Sequence, residues 1–156
     1  MSKASFVYVI YIRSTPEKVW NALTKPELTR KYWWNHRNHS DWKPGSPWQH
    51  QDADDPEKVD IVGKVVEIEA PRRLVLTWAS PSDARKADKV SRVTLTSQAW
   101  EGSVRFTVLH EELEPKSDML HGITAGWPAV CSSLKSFLET GKSLPGSSAR
   151  RETPPE

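Results

Sequence analysis

The sequence predicts a single α+β domain, in which a curved antiparallel sheet wraps around one long C-terminal helix and two short helices follow the first strand. Three patterns carry this prediction. Residues 6–13 alternate as a strand, residues 59–112 hold consecutive strands with short turns, and residues 119–140 carry a helical stripe. Consecutive strands with short connections form an antiparallel meander, and a long amphipathic helix can lie across the concave face of such a twisted sheet.

The first strand leads directly into two short helices. Residues 6–13 are β-branched and aromatic, which favours a strand. Thr15 is a good N-cap, and Pro16 follows at the first helical position, where its missing N–H is not needed. A second short helix is predicted from Pro26 to Trp33, because its apolar residues recur at helical spacing.

The segment from Trp34 to Glu57 is predicted to be a long loop with at most one short strand, near Trp48. It is rich in Asn, His, Asp, Ser and Pro, and its tryptophans follow no regular period. Loops of this length inside compact domains are usually functional or disordered.

Four further strands and the long helix complete the predicted domain. The strands are expected at Val59–Ile68, Leu74–Trp78, Val90–Ser97 and Ser103–Glu112. The helix is expected from about Met119 to Thr140, with Asp118 as its N-cap. Its apolar residues are spaced three and four apart: Leu120, Ile123, Trp127, Val130, Leu134 and Phe137.

The domain is expected to span residues 1–141. The remaining residues, 142–156, are rich in Ser, Pro and charged side chains, which predicts a disordered tail.

Composition excludes several classes of partner. The formal net charge is only +2, which is too small to indicate a basic surface for nucleic acid or for a membrane.

With Cys131 as the single cysteine, no intramolecular disulfide can form. The N-terminus has no signal-peptide pattern and no apolar run is long enough to cross a bilayer, so the sequence predicts a cytoplasmic protein without membrane insertion.

The eight tryptophans suit either a wide core or a pocket lined by aromatic rings, and composition alone does not choose between them. The order of elements favours a pocket, because two short helices at the open end of a curled sheet leave space that side chains need not fill. Pockets of this kind are mostly apolar with a few polar groups. We therefore expect a small hydrophobic or aromatic ligand between the sheet and the long helix.

Several phrases of the sequence together resemble a known family across roughly residues 6–141. They are Thr15–Leu23, Lys25–Leu28 before Trp33-Trp34, Gly63–Ile68, Arg73–Trp78, Gly126-Trp127, Leu134-Lys135 and Leu138–Gly141. The resemblance is to the SRPBCC superfamily of START-like and pollen-allergen-like proteins, and within it to the branch named for the activator of heat-shock-protein-90 ATPase. It implies the helix-grip fold with a cavity between sheet and long helix. The superfamily includes lipid carriers, hormone receptors, polyketide cyclases and co-chaperones, so the resemblance implies no single activity.

The residues predicted to line the cavity come from the second helix, the sheet and the inner stripe of the long helix. They are Trp33, Trp34, Trp78, His121, Trp127, Val130 and Leu134. The apolar members either contact a ligand or pack the core, and both interpretations remain open. His121 either orients a ligand at the mouth of the cavity or faces solvent at the start of the helix.

No metal, cofactor or catalytic group is expected. His36, His39 and His50 lie in a polar segment without the ligand combinations of a zinc site. Glu67 and Arg92 are possible acid–base groups, but the pattern of their strands does not show which way they face. Catalytic activity therefore stays uncertain.

Three functions follow, in order of preference. The first is binding of a small hydrophobic molecule. The second is a stress-related or co-chaperone-like interaction domain, which predicts an exposed apolar patch around residues 34–48 and a protein partner. The third is a cyclase- or hydrolase-type enzyme that uses the same cavity. Open sheet edges also allow a homodimer.

Overall fold

The computed structural model describes residues 2–147 and contains seven strands and three α-helices. The first strand and the two short helices are β1 (Ala4–Ile12), α1 (Pro16–Thr24) and α2 (Pro26–Tyr32). The remaining elements are β2 (His36–Ser40), β3 (Pro47–Asp52), β4 (Val59–Glu69), β5 (Arg73–Trp78), β6 (Ser91–Trp100), β7 (Ser103–Leu113) and α3 (Asp118–Thr140). The polar connection between β5 and β6 holds two short 3₁₀ turns, at Pro81–Asp83 and Ala87–Lys89.

All seven strands form one antiparallel sheet in the order β1-β7-β6-β5-β4-β3-β2. The helix α3 contacts β1 and β7 at one end of this sheet and reaches α2, which itself packs on β2 at the other end. The sheet therefore curls around the long helix, and the two short helices close one side. This is the helix-grip fold, and the predicted fold class is confirmed.

The prediction of a loop with at most one strand between Trp34 and Glu57 is wrong. The segment forms two paired strands, β2 and β3, and β3 continues the sheet through β4. The inward residues of β2 and β3 include the polar side chains of His36, Asn38 and His50, whose burial is made possible by hydrogen bonds. Strands whose buried residues are polar show no apolar alternation, so the sequence pattern does not identify them as strands.

The long helix α3 begins and ends at well-defined caps. The Ser117 hydroxyl accepts a hydrogen bond from the Leu120 amide at 3.1 Å, which places the N-cap one residue before the predicted Asp118. Gly141 closes the helix with φ 82°, a left-handed conformation that glycine adopts without strain. The predicted apolar stripe is buried at Ile123, Trp127, Val130 and Leu134, and partly buried at Leu120 and Phe137.

The predicted tail lies mostly beyond the part of the chain that the structure describes. Residues 142–147 are described and end in a turn, where the Ser147 amide donates to the Leu144 carbonyl at 3.0 Å. Residues 148–156 lie outside the described residues. Within residues 2–147, no helix combines the length and apolarity that a membrane span requires.

Candidate functional site

An apolar cavity of about 140 Å³ opens between α3 and the sheet, and we call it the tryptophan cavity. Four aromatic side chains form one part of its wall: Trp33 at the end of α2, His50 on β3, Trp78 on β5 and Trp127 on α3. The helix α3 forms the rest of the wall with Gly122, Ile123, Gly126 and Val130. The site therefore joins residues that are far apart in the sequence, from Trp33 to Val130.

Two glycines on α3 leave the space at the mouth of the cavity. Gly122 and Gly126 lie one helical turn apart, and a Cβ atom added at either position would have no heavy atom within 4 Å. A glycine inside a helix costs about 0.5–1 kcal/mol relative to alanine. No close backbone approach requires glycine at these two positions, so their effect on the structure is to widen the opening.

The aromatic wall is held together by contacts between rings. The ring centroid of Trp127 lies 5.6 Å from that of Trp33 and 5.5 Å from that of Trp78. Trp33 also contacts the His50 ring at 4.8 Å, and Trp48 backs Trp78 at 5.4 Å. Tilted and edge-to-face pairs at these distances are favourable beyond the area that they bury. The wall is thus a connected aromatic layer.

A buried histidine behind the cavity fixes the position of Trp127. His110 is fully buried on β7, and its Nδ1 accepts a hydrogen bond from Trp127 Nε1 at 3.1 Å. Its Nε2 therefore carries the proton and donates to Ser91 Oγ at 2.8 Å, while the Ser91 hydroxyl donates to the carbonyl of Trp78 at 2.8 Å. Burial lowers the pKa of His110 to about 4, so the ring stays neutral at pH 7.

A stacked pair of histidines lies at the cavity, with His50 in its wall. The rings of His36 and His50 stack with their centroids 4.7 Å apart. Burial alone would lower the pKa of His36, but hydrogen bonds to the Asp60 carboxylate at 2.6 Å and to the Trp34 carbonyl at 2.8 Å raise it above its usual range. Burial, aided by the charge of His36, lowers the pKa of His50 to about 3. His36, whose two ring nitrogens both face acceptor oxygens, is therefore the ring of the pair that takes up a second proton more readily, and His50 stays neutral at pH 7.

The structure brings four of the seven predicted site residues to the cavity, namely Trp33, Trp78, Trp127 and Val130. Among the residues that the structure describes, the buried Trp78 indole N–H has no hydrogen-bond partner.

The other three predicted site residues lie elsewhere. Trp34 is half-buried just after α2, and Leu134 is packed in the core one helical turn beyond Val130. His121 is exposed and lines a polar surface groove with Asp118 and other residues of the first turns of α3. The structure therefore favours the solvent-facing interpretation of His121.

Sequence reasoning missed four residues of the cavity wall as site residues: His50, Gly122, Ile123 and Gly126. A signal was available for the glycines, because two glycines four residues apart on one helix face leave a gap in that face. His50 carried no such signal, since its strand was not recognised and its partners lie on other elements.

The cavity wall holds no pair of groups arranged for acid–base catalysis. Glu67 and Arg92 are both exposed, and Glu67 pairs with Arg73 at the surface. Burial raises the pKa of the Cys131 thiol to about 12, so it is a weak nucleophile at neutral pH. Within residues 2–147, no three His, Cys, Asp or Glu side chains cluster as metal ligands. What the wall offers chemically is apolar contact and hydrogen bonding.

The fold and the cavity define a helix-grip domain with an aromatic pocket, and comparison with known proteins gives its family. A family model described as activator of Hsp90 ATPase homolog 1-like protein matches residues 13–139. The chain belongs to this family, as the resemblance implied. A search of curated proteins finds no match.

Solved structures with the same fold include proteins of several kinds. The Aha1 dimer from Colwellia psychrerythraea has a TM-score of 0.75 at 19% identity, covering 90% of this chain and 99% of that one. CalU16 from Micromonospora echinospora has a TM-score of 0.69 at 20% identity, covering 88% and 77%. PFC0360w, an HSP90 activator from Plasmodium falciparum, has a TM-score of 0.62 at 22% identity, covering 79% and 86%. At these identities the likeness establishes the fold alone.

Proposed function

We propose that this chain binds a small aromatic or apolar molecule in the tryptophan cavity. The observation that carries the proposal is the cavity itself, with about 140 Å³ of space behind a wall of aromatic and aliphatic side chains. An enclosed apolar cavity of about 150 Å³ accepts a single benzene ring. The tryptophan cavity opens to solvent but has a similar volume, so one ring is enough to fill it.

The two glycines of α3 support the same proposal. Alanine at exposed Gly122 and half-buried Gly126 would stabilise the helix without a clash, because an added methyl group meets nothing within 4 Å. Two glycines together lower the helix stability by about 1–2 kcal/mol. A ligand that enters between α3 and the sheet fills the opened space and contacts Trp33 and Trp127. These contacts offset the loss of helix stability.

Toluene is the probe for this function, and it is expected to give a saturable change in tryptophan fluorescence. The expected change comes from Trp33, Trp78 and Trp127, which line the cavity. Gly126→Leu places a branched side chain in the opening and is expected to weaken toluene binding at least about tenfold, which is 1.4 kcal/mol. Isothermal titration calorimetry measures the affinity of both proteins.

The matched control for this titration is Trp100→Phe. Trp100 is 45% exposed at the end of β6 and does not line the cavity. This variant is expected to lose a constant background of fluorescence and to keep the wild-type affinity. Absence of any saturable binding by the folded wild-type protein would remove the proposed function.

A second candidate function, pairing with a second copy of the chain, is favoured by the outer face of β1. This strand is one edge of the sheet, and its outward side chains are apolar. Val7 is 59% exposed and Tyr11 42%, and the Tyr11 ring packs on exposed Trp100 with centroids 4.8 Å apart. The exposed apolar patch therefore lies on this face, whereas the tryptophans of residues 34–48 are half-buried at Trp34 and Trp42 and buried at Trp48. A structural neighbour, the Aha1 protein of Colwellia psychrerythraea, was solved as a dimer.

Sedimentation velocity over a range of concentrations tests this second candidate. The wild-type mass is expected to rise from 17.7 kDa toward twice that value, because pairing buries the apolar face. Val7→Lys is expected to keep the protein monomeric, while Val66→Lys, which changes an exposed valine on β4, is expected to leave pairing intact. A wild-type protein that stays monomeric at every concentration contradicts the pairing.

A further inference from the structure

The contacts of His50, a residue of the cavity wall, determine which of its two ring nitrogens donates a hydrogen bond and which one accepts. The Nδ1 atom of His50 lies 2.8 Å from Oδ1 of Asn38, and the Asn38 amide nitrogen donates to the carbonyl of Leu23 at 3.0 Å. Because the amide nitrogen serves the Leu23 carbonyl, the Asn38 oxygen is the group that faces His50, and it can only accept. The proton of the neutral His50 ring therefore lies on Nδ1, and Nε2 carries a lone pair.

Within residues 2–147, no donor forms a hydrogen bond to the lone pair on Nε2. The hydrogen bonds of His50 to described residues end at Asn38, and the ring forms part of the wall of the tryptophan cavity. His50 is 6% exposed, so bulk water has little access to it. An acceptor with little access to water and no partner among the described residues gains a hydrogen bond when a ligand in the cavity donates to it.

The surroundings of His50 keep Nε2 an acceptor rather than a donor. The ring is stacked on His36, whose two nitrogens face the Asp60 carboxylate and the Trp34 carbonyl, so that His36 holds a second proton more readily than His50 does. With His36 protonated, a second proton on His50 would place two cations 4.7 Å apart. Burial and the charge of His36 accordingly lower the pKa of His50 to about 3.

We propose that the molecule bound in the tryptophan cavity is a single aromatic ring with a hydroxyl group, which donates a hydrogen bond to Nε2 of His50. This inference rests on the proposed function and narrows it to the phenol class. The ring fits the apolar part of the wall at Trp33 and Trp127, and the hydroxyl is the smallest group that supplies a donor.

Other substituents fit the wall less well. A carboxylate could accept from the Trp78 indole N–H, which has no partner among the described residues, but it would repel the lone pair on Nε2 of His50, and the cavity wall has no cationic side chain to neutralise its charge. An ether or an unsubstituted ring leaves Nε2 without a donor. An ammonium group would have to lose its hydration in an apolar cavity, at a high cost in free energy.

Calorimetric titration with phenol and toluene, in the wild-type protein and in His50→Asn, tests the proposal. Asparagine retains a nitrogen at the position of Nδ1 that can donate to Asn38, but it has no counterpart of Nε2. Because each ligand is compared with itself in both proteins, the difference in hydration between phenol and toluene cancels. The ratio of phenol to toluene affinity is expected to fall about tenfold in His50→Asn.

Nitrogen NMR of the wild-type protein is an independent readout that does not need the variant to fold. The free protein is expected to show His50 protonated at Nδ1 and bare at Nε2. Phenol is expected to move the Nε2 resonance upfield, as a new hydrogen bond does, while toluene leaves it in place. An unchanged affinity ratio together with an unmoved Nε2 resonance overturns the phenol inference, but leaves the proposed function standing if toluene binds. If neither compound binds, both proposals fail.

Discussion

Replacing Gly63 by alanine is expected to lower the free energy of unfolding by about 3–5 kcal/mol. Gly63 lies on β4, where the side chain of Trp48 crosses from β3 to reach β5. An added Cβ atom would lie 1.9 Å from the carbonyl oxygen of Thr77 and 2.6 Å from Nε1 of Trp48. The Thr77 carbonyl oxygen cannot move away without disrupting the sheet, so there is no space for the added methyl group.

The clash at Gly63 also breaks a buried hydrogen bond. Nε1 of Trp48 donates to the Thr77 carbonyl at 2.8 Å, and the Trp48 side chain is almost completely buried. Displacing the indole leaves a buried donor unsatisfied and shifts Trp78, which packs on Trp48 and lines the cavity. We therefore expect the loss of stability to be accompanied by weaker toluene binding.

Chemical denaturation of Gly63→Ala and of Gly122→Ala provides the matched comparison. The second variant adds the same methyl group on α3, where no heavy atom lies within 4 Å, and is expected to gain about 0.5–1 kcal/mol. Opposite signs for the two variants are the expected result. Equal stability of Gly63→Ala and wild type would show that β4 and β5 do not approach as closely as described.

Lowering the pH from 7 to 5 is expected to reduce the free energy of unfolding by about 4 kcal/mol, or about 2 for each of two buried histidines. The pKa of His110 is lowered to about 4 and that of His50 to about 3, both by burial. The unfolded chain takes up protons on these rings below about pH 6.5, while the folded chain does not. Stability is therefore full above pH 6.5 and falls as the pH drops toward the folded pKa values.

His36 acts in the opposite direction and in a different pH range. Its pKa is raised in the fold by Asp60 and the Trp34 carbonyl, against the effect of burial. The stability that it contributes is complete below its unfolded pKa and is lost as the pH rises through the folded pKa. It therefore does not add to the loss of stability between pH 6.5 and 5, and its own contribution falls as the pH rises through its folded pKa.

Urea unfolding at a series of pH values measures this profile, with His110→Asn as the control. Asparagine keeps an oxygen that can accept the Trp127 indole N–H but cannot take up a proton. The variant is expected to show about half of the wild-type slope between pH 6.5 and 5, whatever its stability at pH 7. A flat wild-type profile in this range would mean that both histidines titrate normally in the folded protein.

The sequence by itself determined the parts of the fold that depend on neighbours along the chain. The strand at β1, the capped helix α1 and the apolar stripe of α3 each show in a short window, because period, caps and composition act locally. The same local reasoning found Trp127 and Val130, since one face of α3 has to be buried against the sheet.

Only the tertiary structure decided the polar part of the site. The burial of His50 depends on its hydrogen bond to Asn38, which the pairing of β2 with β3 brings into position. The burial of His110 depends on hydrogen bonds with Ser91 and Trp127, each of which lies 17 or more residues away from it in the sequence. Buried polar side chains are stable only when such distant partners meet them, and no local pattern specifies those partners. The sequence therefore predicts where the cavity lies, and the three-dimensional arrangement determines which hydrogen bond its wall offers to a ligand.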